Sequence, residues 1–91
     1  MPYQLTFSTK AEKDIAKLKK TDQPAFKKLT QLLVEIMEHP YTGTGKPEQL
    51  KYNMKGHWSR RISHKHRLVY EVIDHTVTVK VESAFSHYGD K

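Results

Sequence analysis

Cysteine is absent from the 91 residues, which excludes a disulfide framework, thiolate metal sites and a cysteine nucleophile. Secreted domains of this size usually depend on disulfide staples, so a cytoplasmic protein is expected. Long apolar runs are missing too. No stretch nears the roughly 18 residues that span a bilayer, and the N-terminus alternates polar with apolar residues where a signal peptide would be continuous. No membrane partner is expected. Glycines number only four, and Gly43-Thr44-Gly45-Lys46 lacks both the four-residue gap and the Lys-Ser/Thr pair of a phosphate loop. Ser59, Ser63, Ser83 and Ser86 carry no nucleophile-elbow motif. The length leaves room for one modest domain, residues 1–91, that buries about two-thirds of its unfolded surface. A dinucleotide-binding fold does not fit.

Acid is the scarce charge. Sixteen Lys and Arg stand against ten Asp and Glu, for a net +6 and an isoelectric point near 9.6. The excess is local: residues 1–39 carry +2, residues 40–67 carry +6, and residues 68–91 carry −2. In the middle third, Lys46, Lys51, Lys55, Arg60, Arg61, Lys65 and Arg67 surround a single acid, Glu48. Tyr41, Tyr52 and Trp58 interleave with these cations, a pattern that suits a nucleic-acid surface.

Periodicity supplies the elements. Tyr3, Leu5 and Phe7 alternate with polar neighbours and predict a strand. Thr9 and Glu12 have capping-box spacing, and Ala11, Ile15 and Leu18 fall on one face of a helix reaching about Lys20. Thr21 or Asp22 caps a second helix with Pro24 in its first turn. Its stripe of Phe26, Leu29, Leu32, Leu33, Ile36 and Met37 predicts core, and Pro40 ends the helix near His39. Residues 41–56 show no period and predict a long loop, the kind that carries function. Trp58 to Ser63 and Leu68 to Ile73 predict strands. Asp74-His75 is the expected two-residue turn into a last strand with Val77, Val79 and Val81 on one side. The order β-α-α-β-β-β predicts an α+β domain with two N-terminal helices packed on a mainly antiparallel sheet.

His64 and His66, two apart in a tight loop with no carboxylate at ligand spacing, are expected to be exposed loop histidines, not a metal site. What remains suits phosphodiester chemistry. Cleavage of RNA by its own 2′-hydroxyl needs a base for the 2′ proton, cations for the phosphoryl oxygens and an acid for the leaving 5′ oxygen. Glu48 is a candidate base, Arg61 and Arg67 candidate phosphate forks, and His87 a candidate acid. Arg61 and Arg67 sit on successive strands; a three-residue loop brings them opposite each other, and an even-numbered loop does not.

Gly45-Lys46-Pro47-Glu48-Gln49-Leu50-Lys51-Tyr52-Asn53, Gly56-His57-Trp58-Ser59-Arg60-Arg61-Ile62, His66-Arg67-Leu68-Val69-Tyr70 and the terminal His87-Tyr88 closely resemble the YoeB/Txe toxins of bacterial toxin–antitoxin modules, a branch of the RelE-like ribonucleases. The strong match spans about residues 40–73. The resemblance implies a RelE-like microbial RNase fold and a metal-independent, cofactor-free endoribonuclease that cuts mRNA in the ribosomal A site. It matches Glu48 to the general base, His87 to the general acid and Arg67 to the arginine that stabilises the transition state. Arg61 and Lys51 match basic positions near the phosphate, and Tyr88 a C-terminal tyrosine that shapes the site. A YefM-like antitoxin, operator DNA bound only through the antitoxin complex, and toxin dimers are implied as partners. Unlike relatives that end at the His-Tyr pair, this chain continues with Gly89-Asp90-Lys91. The rival reading is a module that docks on ribosomal RNA and blocks decoding without cutting.

Overall fold

The computed structural model describes residues 2–50 and 56–85. Strand β1 (Gln4–Phe7) leads into helix α1 (Thr9–Thr21) through Ser8, whose hydroxyl oxygen accepts from the Ala11 amide at 3.0 Å. The cap is therefore Ser8, one residue before the Thr9–Glu12 box that spacing predicts. Ser8 is extended (φ −71°, ψ 164°), as a cap must be, and its hydroxyl also donates to the Glu82 carbonyl. Glu12 still places an acid in the first turn and Lys19 and Lys20 sit in the last, both favourable to the helix dipole.

Asp22 serves two helices. Its amide donates to the Leu18 carbonyl to close α1, and its carboxylate accepts from the Ala25 amide to open α2 (Gln23–Glu38). The stripe on α2 packs as expected: Leu29, Leu32 and Ile36 are buried, with Phe26 and Leu33 partly so. His39 caps the end through Glu35, ahead of Pro40. No helix among the described residues is long and apolar enough to cross a membrane.

Strands β2 (Glu48–Gln49), β3 (His57–Arg61), β4 (Arg67–Ile73) and β5 (Thr78–Ser83) complete a five-stranded sheet in the order β1-β5-β4-β3-β2. All pairings are antiparallel except β1 with β5, where Gln4 opposes Thr78. Leu68, Tyr70, Val79 and Val81 point toward the helices and fill the core with Leu18, Leu29, Leu32 and Ile36. By alternation, Ser59, Arg61, Arg67 and Glu71 belong to the opposite, helix-free face. The fold is the α+β arrangement read from the sequence.

Three local expectations are corrected. The loop over 41–56 contains a strand, because Glu48 and Gln49 pair with Ser59 and Trp58 and so extend the sheet edge. Asp74-His75 is not a two-residue turn. Asp74–Thr76 forms a 3-10 turn closed by Val77 at φ 51°, so Val77 leaves the strand pattern and stays 41% exposed. Asp74 anchors this turn by accepting from the hydroxyls of Tyr3 (2.6 Å) and Tyr41 (2.7 Å), which hold its carboxyl below the ordinary carboxylate range. Finally, His66 is buried, not exposed. Its ring lies 4.4 Å from that of Phe85 and its Nε2 3.8 Å from Asp22.

Candidate active site

The dipeptide Arg60-Arg61 divides between the two faces of β3. Arg60 turns toward the helices and is fully buried. Its Nε donates to the Tyr70 hydroxyl at 3.0 Å, Nη1 to Glu35 at 2.8 Å and to the Thr44 carbonyl, and Nη2 to the carbonyls of His39 and Thr42. Tyr70 in turn donates to the Pro40 carbonyl at 2.8 Å. Arg60 thus belongs to the interior, where it fastens the segment after α2, and not to the basic surface that composition assigns it to. Tyr41 and Trp58 are likewise engaged. Their rings meet edge to face at 5.2 Å, and Trp58 packs on the core, so the pair does not form an open stacking platform. Tyr52 lies outside the described residues.

Glu35 completes the anchorage. Bonds from the amide and hydroxyl of Thr44, then the Arg60 guanidinium, hold its carboxyl below the ordinary value of 4.5. A depressed folded-state pKa contributes stability above the unfolded value that is lost as pH falls through the folded one. Glu35→Gln should therefore lose less stability than the parent chain as pH drops from about 5 to 3, read by urea unfolding at each pH.

From Thr44 the chain turns onto the sheet edge. Gly45 (φ +86°) accepts from the Arg61 amide at 2.7 Å, and a Cβ there would lie 3.0 Å from the Arg61 carbonyl oxygen and 3.3 Å from Leu32. Only glycine combines that φ with that approach. The close contact delivers Lys46, Pro47 and Glu48 to the edge of β3.

Across the sheet, Arg61 and Arg67 are direct register partners. The Ile62 amide donates to the His66 carbonyl at 3.0 Å, which leaves Ser63–Lys65 as the three-residue loop required to bring the arginines opposite each other. Glu48 faces Ser59 in register and joins them. Lys46, Pro47, Glu48, Arg61 and Arg67 line one open cleft. Glu48 Oε1 lies 3.9 Å from Arg67 Nη1, and that nitrogen also donates to the buried Ser59 hydroxyl at 3.4 Å. The glutamate is 69% exposed and Arg67 22%, so the carboxylate is accessible while the guanidinium is held.

Like charges directly opposite on a sheet destabilise it. Arg61 against Arg67 is therefore a local cost that an anion seated between them would remove. In one place the carboxylate can accept a proton while the two guanidiniums and the ammonium neutralise a phosphoryl group. Lys46 and Pro47 escape sequence reasoning as site residues, although the glycines at 43 and 45 signal the turn that presents them. Lys51, His87 and Tyr88 lie outside the described residues. The described chain ends at Phe85, against His66, beside Arg67 in sequence. One residue earlier, the Ala84 amide donates to Asp14 on α1 at 3.0 Å, which anchors the exit from β5.

Residues 7–88 match the family model of the YoeB-like toxin of bacterial type II toxin–antitoxin systems. Toxin YoeB of Escherichia coli K12 is 40% identical over 76 residues, 84% of this chain and 90% of that protein. A YoeB/ParE toxin from Agrobacterium tumefaciens superposes with a TM-score of 0.88 at 34% identity, covering 93% of this chain and 99% of that one. YoeB from Staphylococcus aureus, solved as a dimer, superposes at 0.84 with 40% identity, and in a YoeB–YefM complex at 0.81 with 39% identity. Both cover 97% of this chain and all of theirs. With a RelE-like sheet, a cationic cleft around one carboxylate and a family match over nearly its whole length, this chain belongs to the YoeB-like toxins of bacterial type II toxin–antitoxin systems.

Proposed function

We propose that this toxin is a metal-independent endoribonuclease that cleaves mRNA in the ribosomal A site and so inhibits translation. The observation that carries the reading is the opposed pair Arg61 and Arg67 with Glu48 at 3.9 Å from the latter. Glu48 takes the proton from the 2′-hydroxyl, whose oxygen attacks the adjacent phosphorus. Arg67 and Arg61 hold the phosphoryl oxygens as negative charge grows on them. The 5′ oxygen leaves and takes a proton from His87, giving a 2′,3′-cyclic phosphate and a 5′-hydroxyl end. Lys51 contributes positive charge near the phosphate and Tyr88 shapes the site, roles that rest on the family resemblance. The RNA supplies the nucleophile, so the reaction calls for no cofactor. A YefM-like antitoxin partner, operator DNA contacted only through that complex, a homodimer and a cytoplasmic location follow from the same relationship.

Primer extension on a message tests this. New 5′ ends are expected when the message is being translated in the presence of the toxin, and none when the message is free of ribosomes. Arrest of translation without new ends would instead make the chain a blocking module.

A further inference from the structure

The helix-free face carries a second polar cluster, away from the Glu48 cleft. His57 on β3 is the register partner of Glu71 on β4, and Glu71 of Lys80 on β5, which sets Glu82, two residues on, to the same side. One donor atom from each of His57, Glu71 and Glu82 lies within 4.8 Å of the other two. His57 Nε2 stands 3.4 Å from Glu82 Oε2 and 3.9 Å from Glu71 Oε1. Among the described residues none of these approaches closes as a hydrogen bond. They are wide for that, and the His57–Glu82 spacing equals that of donors sharing an ion, since ligands at about 2.1 Å in a tetrahedral shell stand roughly 3.4 Å apart. Glu71 would have to close in by about half an ångström.

The surroundings leave the cluster short of positive charge. Two half-buried carboxylates converge here, and among the described residues Lys80 reaches only one of them, Glu82, at 4.0 Å. His57 Nδ1 is buried without a hydrogen-bond partner among the described residues, and Nε2 is the ring nitrogen turned toward the two carboxylates. The side chains are 17%, 35% and 27% exposed, which holds three ligands in place and leaves an outward side for water. One imidazole, two carboxylates and an open position suit a borderline divalent ion of the zinc type better than magnesium or calcium, which prefer all-oxygen shells.

We propose that His57, Glu71 and Glu82 bind a divalent transition-metal ion that cross-links β3, β4 and β5. The site is separate from the proposed reaction. Arg61 lies four steps along β3 from His57, about 13 Å of strand, so the ion takes no part in moving the 2′ proton. It would neutralise two carboxylates on the face that also carries Arg61 and Arg67.

Titration of the tag-free full-length chain with ZnCl2, in competition with a chromophoric chelator, tests the proposal. One ion per chain is expected, with a melting temperature raised by roughly 4 °C or more at saturating metal. Glu71→Gln/Glu82→Gln and, separately, His57→Ala should each weaken binding by more than about 100-fold, beyond the cost of losing even an outer-shell partner. In EDTA the double glutamine variant should melt at or above the parent temperature, since it removes a like-charge pair without changing shape. No saturation by about 100 µM free Zn²⁺, a concentration at which a micromolar site is full, would overturn the site. So would one-to-one binding that survives both variants, because other histidines would then hold the ion. Equal protection by Mg²⁺ would overturn the transition-metal assignment.

Discussion

Arg60→Met is expected to lower the stability of the fold by roughly 3–5 kcal/mol, the usual cost of removing one partner from a buried ion pair. For a domain of 91 residues that is a fall in melting temperature on the order of 15 °C or more. The reason is the number of groups Arg60 serves. Without its guanidinium the Tyr70 hydroxyl, the carbonyls of His39, Thr42 and Thr44 and the Glu35 carboxylate all lose a donor. Methionine fills the volume but supplies none. Lysine keeps the charge with one nitrogen where the arginine uses three, so Arg60→Lys should recover only part of the loss. Thermal unfolding followed by circular dichroism reads both. A shift below about 4 °C, the effect of a single kcal/mol, would mean that Arg60 is not the fastener of the 39–44 segment.

Glu48→Gln should have the opposite profile. Its side chain is 69% exposed and contacts Arg67 only at 3.9 Å, so the melting temperature should move by little. Ribosome-dependent cleavage should fall by about 10²–10⁴-fold, the contribution of a positioned acid or base. Quantified 5′ ends from a translated message, measured against time, provide the rate. If cleavage stays within about tenfold of the parent, Glu48 is not the base. The two variants separate neighbouring elements of one motif: Arg60 should register in stability and Glu48 in rate.

Much of the fold was legible because it obeys strong periodic rules. The apolar stripe on α2 has helical spacing, Asp22 and Pro24 mark its start, and Pro40 forbids its continuation. The opposed arginine pair was half legible: parity of the hairpin loop limited the registers, and the Ile62–His66 bond selected the one that opposes Arg61 to Arg67. Other features were not readable from one dimension. Arg60 and Arg61 are the same residue type in adjacent positions, and only tertiary packing makes one interior and the other part of the cleft. β2 is two residues long and held by an edge pairing, too short for any period to emerge. Val77 fits an alternating strand by type, and the turn at Asp74 overrides that preference by placing it at positive φ. His57, Glu71 and Glu82 are scattered over 26 positions and meet only because three strands run side by side.

The parallel pairing of β1 with β5 has a consequence for how the molecule is made. Gln4 finds its partner at Thr78, so β1 docks only on a strand more than seventy residues away in sequence. Helices α1 and α2, and the hairpin of β3 with β4, rest on contacts of short sequence separation. Contacts as distant in sequence as those of β1 with β5 are slow to form and come late. On refolding, the β2-β3-β4 edge that carries Glu48, Arg61 and Arg67 is therefore expected to assemble before the N-terminal strand docks. β5 lies between β4 and β1, so the sheet is complete only when that one strand has joined both of its neighbours.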